Sequence, residues 1–200
     1  MYSNVKVCNT YLFYASLFNK DYTFFSQTKK PIIMLGYMST ITKDALNDGY
    51  SKLRFLIGDY DVIAYNSIDH RAWVESGNGT ASYTLEDKFL IEKVEIFRKD
   101  VIISMHNTIG RDSEKESFHM QTLDITSGIM DIYKGNIKDN VLTFHNIDST
   151  INTQNKDSLN FKLIYKQLSN FENELIVGCS RDNGKTWFPF LKNHYRKKLL

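Results

Sequence analysis

The chain has 200 residues, of which 42% are hydrophobic and 14% aromatic, and its 25 basic and 23 acidic residues leave a net charge of +2. That length and apolar content suit one globular domain with an appendage and exclude a disordered chain. The slight basic excess gathers at Lys192, Arg196, Lys197 and Lys198, so no broad cationic face is expected and no nucleic-acid partner with it.

Residues 1–38 show no period, but their aromatics, among them Tyr11, Phe13, Tyr14, Phe18, Tyr22, Phe24 and Phe25, are too dense for a solvated tail. They are expected to pack on the domain that follows, or to meet a partner. The apolar stretch from Val7 to Phe18 is interrupted by Asn9 and Thr10 and is followed by no small-residue cleavage site. No other window approaches the ~20 apolar residues of a membrane-spanning helix. Cys8 and Cys179 provide neither a disulfide framework nor zinc spacing. The expectation is a soluble, cytoplasmic protein that is not transmembrane.

Thr40 or Thr42 can cap a helix through Asp44, Ala45, Leu46, Tyr50, Leu53 and Leu56, which Gly58 ends. From Gly58 onward short alternating segments predict strands near 59–66, 71–77, 79–86, 88–98, 100–108, 116–124, 128–135, 140–147, 158–168, 173–181 and 191–197. Turn chemistry separates them at Gly77-Asn78-Gly79, Lys99-Asp100, Gly110-Arg111-Asp112, Ser127-Gly128, Lys138-Asp139-Asn140 and Asn183-Gly184. Hairpin-length breaks without interleaved helices predict an antiparallel meander. An open sheet of this size would leave two long edges, which closure removes. The fold class read from the sequence is therefore all-β, an antiparallel barrel of about ten strands with one short helix closing an end.

A barrel of that width leaves room for a small ligand, so polar residues alternating onto the inner face are the candidates. The run Phe118–Asp124 puts His119, Gln121 and Leu123 on one face, and if that face is inward, an imidazole and an amide line the lumen. Glu92, between Leu90 and Val94, and Asp131, between Ile129 and Tyr133, are the carboxylates able to point inward, where burial would raise their pKa. The five histidines, at 70, 106, 119, 145 and 194, are spread singly. No metal site is expected from their spacing. No nucleophile elbow, phosphate loop or dinucleotide fingerprint occurs.

Leu53-Arg54-Phe55-Leu56-Ile57-Gly58-Asp59-Tyr60, Leu123-Asp124, the Arg181–Trp187 hairpin and the closing Tyr195-Arg196 together resemble the DUF1579-type, lipocalin-like family over about residues 53–196. Tyr60, Leu123 and Asn183 stand where that pattern has Trp, Tyr and Gly. The resemblance implies a calycin-like barrel with a helix closing one end, and it carries no catalytic residues. A weaker similarity, to haem-binding barrels of the nitrobindin type, rests on His194 in the last strand. His194 alternates with Tyr195, and the first resemblance gives Tyr195 the framework position, so no cofactor is expected. The function that follows is the binding of a small apolar or amphipathic ligand in the barrel. The alternatives are a lumenal isomerase or cyclase using Glu92, His119 or Asp131, and an interaction module using residues 1–38.

Overall fold

In the computed structural model, which describes residues 50–112, 114–149 and 159–199, ten antiparallel strands close into a barrel. The strands are β1 (Gly58–Ile68), β2 (Ala72–Glu86), β3 (Phe89–Arg98), β4 (Val101–Asp112), β5 (Ser117–Asp124), β6 (Ile129–Lys138), β7 (Val141–His145), β8 (Asn160–Gln167), β9 (Glu172–Ser180) and β10 (Phe188–Lys197). Each pairs with its neighbour in sequence, and β1 pairs with β10 to remove both edges. The aromatic segment 1–38 and the cap at Thr40 or Thr42 lie outside the described residues.

The expected turns are largely where the chain turns. Residues at Lys99, Gly128, Asp139, Asn140, Asn183 and Gly184 take positive φ between strands, as Asn, Asp and Gly readily do. Gly110-Arg111-Asp112, expected as a turn, is instead the end of β4, paired with Ser117–His119 of β5. Gly77-Asn78-Gly79 is also different. The two segments expected on either side of it are one continuous strand, β2, and the register slips there so that Ser76 has no partner opposite Ala64 and Tyr65. The glycines answer a packing need, since a Cβ on Gly79 would stand 1.8 Å from the Glu95 carbonyl oxygen. They let β2 bend closely over β3, as a bulge in a barrel wall does.

The expected helix is, within the described residues, a 3-10 helix over Tyr50–Leu56. Its buried residues Tyr50, Leu53 and Leu56 recur every third position, which aligns them on one face at three residues per turn. That face plugs one end of the barrel. Burying Leu53 and Leu56 there is worth roughly 1.5–3 kcal/mol each. Polar contacts fix the plug: Lys197 Nζ donates to the Ile57 carbonyl at 2.7 Å, Asn173 Nδ2 to that of Phe55 at 3.0 Å, and the Arg111 backbone N–H to the Tyr50 hydroxyl at 2.9 Å.

Trp187 is not at this end. It precedes β10, whose other terminus meets the plug, and its half-buried ring lies against Gly178 with Lys162 Nζ 4.7 Å above it. The Asn183-Gly184 turn sits in a longer loop, 181–187, organised by Asp182. The carboxylate of Asp182 accepts from Ser180 Oγ at 2.7 Å and from the Thr186 N–H at 2.8 Å.

Candidate functional site

Alternation along each strand sorts the interior into two zones. Next to the plug, Tyr60, Tyr83 and Tyr195 meet edge to face at centroid separations of 5.7–6.0 Å, and Leu90, Ile109, Met120, Leu142 and Phe144 are fully buried around them. This half is a packed core. Toward the opposite end the inner face turns polar and then opens.

Glu92 stands within the packed half, 1% exposed. Its strand register sets it opposite Tyr83 on β2 and Asn107 on β4. The Tyr83 hydroxyl donates to Oε1, Asn107 Nδ2 donates to Oε2 at 2.7 Å, and the Tyr165 hydroxyl reaches Oε2 from β8 at 3.1 Å. Burial lifts the Glu92 carboxyl above its usual value, and the donated hydrogen bonds from Asn107, Tyr83 and Tyr165 act against that rise. The Tyr83 and Tyr165 hydroxyls are pushed well up, first by burial and then by the neighbouring carboxylate. A carboxylate so supplied with donors has little acceptor capacity left for a substrate proton, and it reads as a structural hub of the lumen.

Asp131 is also buried on the inner face. It accepts from Asn146 Nδ2 at 2.5 Å, from Ser149 Oγ at 3.0 Å and from the Ile132 N–H at 2.8 Å, while Asn146 Oδ1 accepts from the Phe161 N–H at 2.6 Å. These contacts tie the chain leaving β7 to β6 and β8.

The remaining sequence candidates face the other way. Phe118, Met120 and Thr122 take the inner face of β5, while His119 and Gln121 are exposed on the outer wall and Leu123 is partly exposed beside them. There His119 Nε2 lies 3.8 Å from the Asp112 carboxylate, and Gln121 Nε2 contacts Met130 Sδ at 3.1 Å. The inward option for these three is thus corrected. The reason is that Phe118 and Met120 bury far more apolar surface than an imidazole and an amide would.

His194 is on the outer face, 3.7 Å from the Glu172 carboxylate, and Tyr195 is on the inner one. A haem held by His194 does not fit this arrangement. His106 and His145 also alternate outward, next to the inward Asn107 and Phe144. No grouping of three or more metal-ligating side chains occurs among the described residues.

At the mouth opposite the plug, the ends of β1 to β4 border an open cleft of about 680 Å³. Ile68, Val74, Val101 and Ile103 supply its apolar lining, with Asn66, Ser76 and Arg98 among them. Ile68, Val74 and Val101 remain about half exposed. Arg98 continues the inward series Leu90, Glu92, Val94, Ile96, and its side chain crosses β2 over Gly77, where a Cβ would stand 2.8 Å from Arg98 Cγ. Its Nη1 donates to Asn66 Oδ1 at 3.1 Å, and its Nε is buried without a partner among the described residues. Deeper in the interior, Asn107 Oδ1, Thr122 Oγ1 and Asn193 Oδ1 are likewise buried and unpartnered among the described residues.

The sequence reading named Glu92 and Asp131 but not Arg98, Asn66, Tyr83 or Tyr165. Extending the alternation from Glu92 by three steps would have placed Arg98 on its face. The convergence of Tyr165 on Glu92, 73 positions apart, had no local signal.

No protein-family model matches the chain, and no curated protein matches it by sequence. Among solved structures it is similar to the crystal structure of Rv2717c from M. tuberculosis, with a TM-score of 0.54 and 12% identity, over 76% of this chain and 98% of that one. At that identity the likeness is one of fold: an all-β, lipocalin-like barrel closed by consecutive antiparallel strands.

Proposed function

We propose that the barrel binds a small amphipathic molecule, without catalysing its conversion, at the mouth opposite the 3-10 helix. The observation that carries this reading is the cleft of about 680 Å³ bounded by apolar side chains that remain half exposed. Its size falls in the range of small-molecule sites, and the apolar surface of Ile68, Val74, Val101 and Ile103 is combined with the polar side chains of Asn66, Glu75, Ser76, Arg98, Lys99 and Asp100. The polar atoms left unpartnered below it favour an amphipathic ligand over a wholly apolar one. Glu92 supports binding more than catalysis, because its oxygens are already engaged by Tyr83, Asn107 and Tyr165.

Membership of the DUF1579-type family belongs to the same proposal, supported by the helix-to-strand entry at Leu53–Tyr60 and the inward Tyr195. A cytoplasmic setting accords with the scarcity of cysteine. No helix among the described residues is long and apolar enough to cross a membrane.

The test uses the neutral fluorescent probe N-phenyl-1-naphthylamine. Wild type should enhance its emission, Ile103→Glu should abolish the enhancement while leaving the fold's circular dichroism intact, and Leu123→Ala on the outer wall should change neither. Equal enhancement by wild type and Ile103→Glu would overturn the reading.

A further inference from the structure

We infer that the ligand of this mouth is a carboxylate with an apolar tail, and that Arg98 reads its head group. The inference rests on the small-molecule reading above and adds the chemical class.

Four observations converge on Arg98. It is the charged side chain of the inner face of β3 at the mouth, at the end of an otherwise apolar or Glu92-bearing series. The glycine at position 77 leaves the space across which it lies, so the guanidinium is set toward Asn66 on β1. Asn66 engages Nη1 alone, and a neutral amide leaves the charge uncompensated. Nε is shielded from water with no acceptor among the described residues, so the interior leaves the hydrogen bonding of the guanidinium incomplete. Burial also lowers the pKa of the guanidinium, although an arginine stays protonated.

The other charges around the cleft do not meet this need. Glu75 on β2, and Lys99 and Asp100 in the β3–β4 turn, are exposed to solvent, and no ion pair joins Glu75 or Asp100 to Arg98 among the described residues. The outer edge of a guanidinium, formed by its two Nη atoms, matches the two oxygens of a carboxylate side by side, and Asn66 takes up Nη1 alone. Around it Ile68, Val74, Val101 and Ile103 present the surface on which an alkyl or aryl tail would be buried. A head group that only donates hydrogen bonds would leave the guanidinium charge unmet.

The experiment is isothermal titration calorimetry of the full chain with decanoate and with 1-decanol, which share a tail and differ in the head. Wild type should bind decanoate about tenfold or more tightly than decanol, the range of a charge-assisted hydrogen-bonded pair. Arg98→Gln should erase that preference while leaving decanol binding unchanged, and Arg98→Lys should restore part of it. Asn66→Asp, which offers Arg98 an internal carboxylate, should weaken decanoate selectively, and it serves if Arg98→Gln fails to fold. Equal affinity of wild type for the two ligands, or a decanoate preference that survives both Arg98→Gln and Asn66→Asp, would overturn the assignment of the head group and leave the small-molecule reading standing. Binding of neither ligand would overturn both.

Discussion

Replacing Glu92 probes the polar hub of the barrel. Alanine would remove the acceptor of the Tyr83 and Tyr165 hydroxyls and of Asn107 Nδ2 together, leaving three donors in a region where Glu92 itself is 1% exposed. Each donor stranded in this way costs about 1–3 kcal/mol. Against a total stability of about 5–15 kcal/mol, Glu92→Ala should be severely destabilised or unfolded. Glu92→Gln keeps the shape and one carbonyl acceptor, and the tyrosine hydroxyls can rotate to accept from the amide, so about 1–3 kcal/mol is expected.

The pH dependence separates a buried carboxyl from a merely well-packed one. Burial raises the folded-state pKa of Glu92 above the ordinary value of 4.5. Between the unfolded and folded values the native state therefore holds the additional proton, and stability falls as pH rises through that window. The contribution is fully present below about pH 4.5 and is lost as pH passes the raised folded value. Urea denaturation of wild type and Glu92→Gln from pH 4 to pH 8 should show the advantage of wild type shrinking as pH rises, because glutamine does not titrate. A gap that stays constant, or widens toward pH 8, would refute the assignment of Glu92 as a desolvated acid.

Gly79→Ala should lower the thermal midpoint, with a cost of about 1–3 kcal/mol, because its Cβ would stand 1.8 Å from the Glu95 carbonyl oxygen and β2 would have to withdraw from β3. An unchanged midpoint would show that the bend relaxes freely. Trp187→Ala should cost about 1–2 kcal/mol, less than the ~3 kcal/mol or more of a core aromatic, since the ring is half-buried and covered by Lys162. A loss above that range in differential scanning calorimetry would mean that the 181–187 loop anchors the barrel.

Much of the barrel is legible in the chain. Alternation of apolar and polar residues from Gly58 onward marks the strands, and Asn, Asp and Gly mark the turns, because both signals act over a few residues and need no distant partner. Closure follows from the cost of leaving edges bare. Gly77-Asn78-Gly79 misleads because a glycine supplies a turn and a close approach equally well, and only the neighbouring strand β3, pressing on Gly79, distinguishes them. The face of β5 is a related case. His119, Gln121 and Leu123 alternate as cleanly as Phe118, Met120 and Thr122, and a strand considered alone has no inside.

Which set turns inward is decided by the sum of apolar area that the closed barrel can bury, and Phe118 and Met120 outweigh their neighbours. Glu92 was recognisable as a candidate from its flanking Leu90 and Val94. That it is held by Tyr83, Asn107 and Tyr165 depends on three strands meeting across the interior. Arg98 is the plainest instance. Its alternation is local, but its orphaned Nε, its path over Gly77 and its contact with Asn66 exist only because β1, β2 and β3 lie side by side. Secondary structure is written in short-range periodicity, whereas the environment of a polar side chain is set by residues tens of positions away.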